Sequence, residues 1–322
     1  METQGKIGRR VKRRPIIQKT GAICSAMEQT PIVFGGKLIL IESASENGQV
    51  FLRAHDYRNG RIYPGFAHGH YFASAYVENG VVYAFCTSAR DNGALTMYQS
   101  DDPSTWHDPR GGQSVMMFWS RDLITWEGKE VLHIPKWRLW NTSVCKGADG
   151  YVMAIEVSPN GEGHDPEVGS PFTCFFAKSP DLLEWTMMDT GCCYTRERYN
   201  ACPALRFFEG WYYMICLEAL PCTRYAPYIY RSRDLREWAV SDHNPIMMFG
   251  DEDRVAHPLS NLTEAELELL ECGLNINNSD VDLCEFEGKT YIYYANGDQM
   301  LYSFLEEAVY DGPIDEFLRG FF

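Results

Sequence analysis

"SRDLITW" at residues 120–126, "SPDLLEW" at 179–185 and "SRDLREW" at 232–238 are three copies of one pattern, Ser-x-Asp-Leu-x-x-Trp, with starts 59 and 53 residues apart. Each copy follows an apolar, strand-like run: "SVMMFW", "FTCFFAK" and "APYIYR". Ser-x-Asp is turn chemistry, the Leu is apolar enough to be buried, and the Trp opens another strand. A fainter copy, "SDDPSTW", occupies 100–106.

A second unit recurs ahead of these turns, consisting of a strand, a tight turn with Gly, and a strand rich in aromatic and β-branched residues. It reads "EQTPIVFGGKLILIES", "FASAYVENGVVYAFCTS", "NTSVCKGADGYVMAIEVS", "ACPALRFFEGWYYMICLE" and "SDVDLCEFEGKTYIYYA". Five hairpins in units of about four strands, linked by turns rather than helices, require a radial array, because one small sheet cannot bury both its faces. The sequence therefore predicts an all-β, five-bladed β-propeller with blades starting near residues 26, 70, 140, 200 and 278. One segment departs from the strand pattern. "NLTEAELELLECG", residues 261–273, has a polar start, acidic first turn and closing Gly, which predicts a short helix between the fourth and fifth blades. The C-terminal "SFLEEAVYDGPIDEFLRGFF" reads as a last strand and a helical turn that closes the ring. A basic arm over residues 1–24, containing "KIGRRVKRRPIIQK", precedes a single domain over 25–322 and is available to an anion or to a second subunit of a homo-oligomer.

The chain as a whole is acidic, with a formal charge of -15, and 45% of its 322 residues are hydrophobic. Such a charge disfavours nucleic acid and anionic membrane as partners, since both need clustered Lys and Arg, and a neutral partner fits better. No apolar run approaches membrane-spanning length and no Sec-type leader is read at the N-terminus. The eleven cysteines are odd in number and contain no C-x-x-C pair, so free thiols and a reducing cytoplasm are expected.

The fifth hairpin opens "NNSDVDLCEFEGKTYIYY", residues 277–294, placing Asp280 and Asp282 where strand propensity disfavours Asp. In a propeller the start of each inner strand and the end of the next strand meet at one rim. Counting eight residues back from each hairpin Gly gives Glu28, Phe72, Thr142, Cys202 and Asp280; counting six to eight forward gives Glu42, Ser88, Glu156 and Glu218. Asp280, Asp282, Glu28 and Glu218 are thus expected around one axial pocket, where clustered carboxylates separate acid from base by raising one another's pKa. The structural alternatives are an Asx cap for Asp280, where the functional reading leads, and a hydrogen bond between blades for Asp282, where the two are level. Around them, Asn141, Asn200 and Asn278 start three inner strands and form a candidate ligand ring. His70 in "HGHYF", Arg206 in "RERYNACPALR" and Trp140 are candidate sugar contacts through hydrogen bonding, charge and stacking. No zinc, EF-hand, P-loop or dinucleotide motif is present, so no cofactor is implied.

The Ser-x-Asp-Leu-x-x-Trp repeats and their hairpins resemble the five-bladed propeller glycosidases of glycoside hydrolase families 32, 43, 62 and 117, with family 130 phosphorylases as relatives, over about residue 25 to the end. That resemblance implies a glycosidase, family 43-like, acting on a plant or algal oligosaccharide, probable inversion being the expected stereochemistry. In families 43 and 32 an aspartate base sits on the first inner strand and an acid glutamate in an E-G-P or E-C-P context on a later one. Here Glu28 in "MEQTP" holds the first place, and "ACP" puts Ala201 where the acid would be. With the family acid missing, the leading expectation is Asp280 as base or an equivalent essential carboxylate and Glu218 as acid, with Glu28 and Asp282 orienting substrate or tuning pKa values and Glu156 or His70 as other acid candidates. A single structural Ca²⁺ is compatible with family 43. Two further readings stay open: a carbohydrate-binding propeller without catalysis, suggested by Ala201, and a phosphorylase using the arginines of 196–206.

Overall fold

A computed structural model describes residues 14–88, 112–159, 165–169, 172–222, 224–299 and 301–322. The faint repeat at 100–106 lies outside these residues. Three sheets have four strands each, and an eight-stranded sheet divides into two four-stranded units joined through one parallel bridge, Tyr225 to Asn277. The innermost strands are Gln29–Phe34, His70–Glu78, Trp137–Gly147, Ala201–Phe208 and Asn277–Phe286. Each packs against the next, and the fifth packs against the first. This closes a propeller of five units among the described residues.

The repeats explain themselves in side-chain chemistry. Ser120 Oγ accepts the N–H groups of Asp122 and Leu123 at 3.2 and 2.9 Å, while Asp122 Oδ1 accepts those of Ile124 and Thr125, both at 2.8 Å. The second and third copies repeat the pattern at Asp181 and Asp234. The turn drives Leu123, Leu182 and Leu235 to φ of 63°, 70° and 65°, a left-handed region costly for Leu. All three leucines are buried in the seams between blades, which offsets that strain.

The helix forms as Glu264–Cys272, with Thr263 and Glu266 in a capping box and Gly273 after its last residue. It packs through Leu270 on Ala22 and Phe304 of the fifth blade. The C-terminal strand Ser303–Tyr310 and helix Ile314–Arg319 also form. The domain boundary expected at residue 24/25 falls inside a sheet. Gln18–Cys24 is the outer strand of the fifth blade, paired antiparallel with Ser303–Tyr310, so the basic segment from Gln18 onward is part of the propeller rather than an arm. Pairing across nearly the whole chain has no local sequence signal. Residues 1–13 lie outside the described part.

Glu307 knits the ring closed between blades one and five. Burial raises its carboxyl pKa, but hydrogen bonds from His257, Tyr57 and Tyr293 and the charge of Arg58 outweigh burial and hold it at about 2. A folded pKa below the unfolded value of 4.5 adds stability that is complete above 4.5 and lost as pH falls toward 2. Urea unfolding from pH 7 down to 2.5 is therefore expected to lose stability through that window. Glu307→Gln should be less stable at pH 7 and flatter in acid; an unchanged acid limb in the variant would assign the loss to other carboxylates.

Candidate active site

The axis is built by a bulge at the mouth of the inner strands. Register slips between Tyr71 and Ser74, Leu139 and Thr142, Ala201 and Ala204, and Ser279 and Asp282. Phe72, Cys202 and Asp280 within three of these bulges have φ of 56°, 50° and 53°, and Glu28, just ahead of the first inner strand, has 60°. Four non-glycine residues in the left-handed region at equivalent places mark a strained rim, a feature that collects at functional sites.

Glu28, Asn141, Thr142, Cys202, Asp280 and Asp282 line an axial pocket of about 30 Å³. That volume admits water but not a sugar ring. Glu28 is also a wall of a neighbouring cleft of about 470 Å³, lined by Met27, Tyr71, Phe72, Leu301 and Tyr302 among others. The cleft has the size of a small-ligand site.

Three blades meet in one polar cluster at the axis. Glu156 Oε2, from the third blade, accepts the Cys202 N–H at 2.8 Å and Asn141 Nδ2 at 3.1 Å. Asn141 Nδ2 also lies 3.4 Å from Cys202 Sγ, and the Cys202 thiol hydrogen-bonds Asp280. Burial raises the Glu156 pKa, those two donors offset part of the rise, and the Asp280 charge adds to it, giving about 7. Burial likewise raises Asp280 above the usual carboxylate range, against hydrogen bonds from Cys202 and Ser279. Its Oδ2 is shut off from solvent without a hydrogen-bond partner. The Cys202 thiol is pushed far up by burial and then by Asp280, Glu156 and Glu28, so it stays protonated and can donate. The arrangement is a buried acid cluster that retains a proton near neutrality.

Of the residues expected from sequence, Glu28, Asp280, Asp282 and Asn141 line the axial pocket and Glu156 lies against it. Asp282 is tied to Arg206, whose Nη2 donates to Asp282 Oδ1 and to the Leu283 carbonyl, both at 2.6 Å; this pair bridges blades four and five. Glu218 is absent from the lining and is engaged by the Tyr230 hydroxyl and by Arg198 at 3.3 Å. It stands two residues beyond Cys216, which lies opposite the bulge of its hairpin as Glu156 does in the third blade. His70 directs Nδ1 at the carbonyls of Ala67 and His68, 3.3 and 3.0 Å away, and its ring meets Phe118 edge-on. The asparagine ring does not form. Asn200 is 1% exposed, and Asn278 is fully buried, bonded to Asp253 and Lys19; both stand two residues before the left-handed position, whereas Asn141 lies within its bulge. Trp140 is core: its Nε1 donates to Ser158 Oγ at 2.7 Å and its ring supports Phe72. Arg196 bonds the carbonyls of Glu167 and Thr190, so the arginines proposed for phosphate are committed to protein partners.

Sequence reasoning missed Cys202 as the hub between Glu156 and Asp280, and Tyr71 with Phe72 as the aromatic wall. The count from the hairpin glycines did mark Cys202 and Phe72, but neither is a carboxylate and neither was read further. Among the described residues no group of three or more His, Cys, Asp or Glu side chains is arranged to hold a metal ion. All eleven cysteines are free thiols. No helix among the described residues is long and apolar enough to cross a membrane.

No family model matches the sequence. No curated protein matches it either. Among solved structures, the chain is similar to a glycoside hydrolase at 12% identity, with 92% of each chain covered and a TM-score of 0.62. It is similar to the xylan β-1,4-xylosidase of Bacillus halodurans C-125 at 13% identity, covering 91% of this chain and 54% of that one, with a TM-score of 0.57. The catalytic domain of the family-62 α-L-arabinofuranosidase of Coprinopsis cinerea matches at 9% identity over 92% of this chain and 97% of its own, with a TM-score of 0.55. At such identities the likeness establishes a shared fold, the propeller of these glycosidases.

Proposed function

We propose that the protein is a glycoside hydrolase that cleaves an oligosaccharide over the propeller axis, with inversion. The observation that carries this reading is the pair Glu28 and Asp280, contributed by the first and last inner-strand mouths to one pocket, with Glu156 beneath them. A sugar seated in the cleft rests against Glu28. Asp280, its pKa raised by burial, is suited to protonate the leaving oxygen, and Glu28 to take a proton from the attacking water. The glycosidic C–O bond breaks as the water oxygen bonds to the anomeric carbon from the opposite face. Room for a water beside the two carboxylates supports inversion, which needs that space. The sequence expectation is Asp280 as base and Glu218 as acid; in this reading the acid role passes to Asp280, because burial favours its protonated form, and the base role to Glu28.

Sugar release from neutral oligosaccharides, with and without phosphate, tests the proposal. Phosphate-independent release of the inverted anomer, followed by NMR, is the expected result; retained anomer would refute inversion, and phosphate dependence would refute hydrolysis. A second reading, sugar binding without turnover, is favoured by Ala201, a fully buried methyl at the place of the family acid. It requires tight binding and no release.

The pH profile carries a further expectation. Glu156 holds its proton up to about pH 7 because burial and the Asp280 charge oppose its ionisation, and the repulsion between the two carboxylates is mutual. Glu156→Gln removes that repulsion, so the alkaline limb of kcat/KM should move to lower pH. A limb unmoved by the substitution would separate Glu156 from the acid.

A further inference from the structure

Resting on the proposed sugar-cleaving site, we infer that its cleft selects an uncharged glycoside carrying an apolar group, either an aromatic aglycone or a deoxygenated sugar face, and rejects uronides. Three observations carry this. First, among the described residues, those lining the cleft and the axial pocket include the carboxylates Glu28, Asp280 and Asp282 and no Lys, Arg or His. Arg206, the cation beside Asp282, is already paired with it. A substrate carboxylate placed here would face like charge with no compensating cation, an arrangement that rejects a ligand strongly.

Second, one wall is apolar. Met27, Tyr71 and Phe72 lie on it, with Phe72 backed edge-on by Trp140 at 5.5 Å. Leu301 stands at the cleft 81% exposed, a large apolar side chain that the described residues leave in water. An apolar substituent laid against Leu301 and the aromatic wall would remove that surface from water.

Third, polar atoms without partners gather at the same two cavities. Gln29 Oε1 and Asp280 Oδ2 at the axial pocket, and Ser43 Oγ and Ser303 Oγ at the cleft, are buried and unbonded. Buried polar atoms of this kind call for an explanation. Gln29 Oε1 accepts only, the Asp280 carboxyl donates when protonated and accepts when ionised, and the two hydroxyls can reorient, so their complement is a ligand whose neutral hydroxyls both donate and accept. A sugar with its hydroxyls toward the axis and its apolar group toward Leu301 meets both demands.

The test is equilibrium binding by calorimetry, which does not depend on turnover. The probes are methyl xyloside, p-nitrophenyl xyloside, methyl rhamnoside as the 6-deoxy sugar, and p-nitrophenyl glucuronide, each as both anomers. The p-nitrophenyl xyloside or the rhamnoside is expected to bind about tenfold or more tightly than methyl xyloside, the difference a small apolar contact supplies; whichever leads identifies the apolar group as aglycone or deoxy face. The glucuronide should not bind. Leu301→Lys, at an exposed position and expected to leave Tm unchanged, should erase the apolar advantage and admit the glucuronide. Equal binding of glucuronide and neutral xyloside, an unchanged ranking in Leu301→Lys, or no binding of any neutral probe at its solubility limit would overturn the inference. The expected ranking without sugar release would leave the inference standing and sink the hydrolase reading alone.

Discussion

Asp280→Asn is expected to lower sugar release by about 10²- to 10⁴-fold, the range over which a positioned acid or base contributes. The substitution isolates the chemistry from the fold. Asp280 sits at φ 53°, and Asn is among the few residues that visit the left-handed region readily. The amide keeps the shape of the carboxyl and still offers Cys202 an acceptor. What it loses is the exchangeable acid proton and the charge felt by Glu156. Thermal unfolding should therefore match or exceed wild type, because a costly buried carboxyl has been neutralised. Substrate binding measured by calorimetry should persist while kcat falls. Full activity in Asp280→Asn would move the chemistry away from the fifth blade, and loss of both binding and folding would show that Asp280 serves the structure instead.

The architecture was legible because its repeats are local. Ser120, Asp122 and their counterparts build turns from side chains bonded to neighbouring backbone, so the pattern survives in any short window. The axial positions were legible where hairpin length is constant. Five residues separate bulge from turn in the second, fourth and fifth inner strands (74–78, 204–208 and 282–286), and a count from the hairpin Gly lands on Phe72, Cys202 and Asp280. The third inner strand has six, 142–147, so the same count gave Thr142 while the bulge holds Trp140 and Asn141. Gly150 also follows its turn, whereas Gly80, Gly210 and Gly288 lie in theirs, so the third blade is offset by two residues from the count, and Asn141 falls inside its bulge while Asn200 and Asn278 stand before theirs.

The acid candidates were less legible still. Glu156 lies between Ile155 and Val157, opposite the bulge of its hairpin, whereas the matching residue of the fourth blade is Cys216 and Glu218 stands two residues beyond it; only Glu156 reaches Cys202 and lies beside Asp280, while Glu218 meets Tyr230 and Arg198. How far a residue stands from the bulge is a matter of register that a count of six to eight from the hairpin Gly does not resolve. The resemblance to propeller glycosidases pointed at Ala201, and the fold places a buried methyl there with a thiol next to it at the pocket. The chemistry has to be sought in residues that this chain brings together.

Lys19→Ala is expected to destabilise the protein by about 3–5 kcal/mol, the cost of stranding one member of a buried ion pair. Against the roughly 5–15 kcal/mol that holds most domains folded, the loss is large. Lys19 comes from the strand Gln18–Cys24 that completes the fifth blade, and its ammonium lies 2.6 Å from Asp253 Oδ1, with side chains 7% and 0% exposed. It also donates to the Met248 carbonyl at 2.7 Å and to Asn278 Oδ1 at 3.0 Å. Asp253 in turn accepts from the Tyr294 hydroxyl at 2.9 Å and the Gly250 N–H at 2.9 Å. Removing the ammonium leaves the carboxylate buried with neutral donors only, and it frees the strand that closes the ring. Urea unfolding should show the lower midpoint, and amide exchange should accelerate first across 18–24. The double variant Lys19→Met with Asp253→Asn removes both charges and should recover much of the loss, giving a coupling energy well outside additivity. If the single and double variants are equally unstable, the contribution of Lys19 is packing of its stem; if Lys19→Ala is as stable as wild type, ring closure relies on the strand pairing alone.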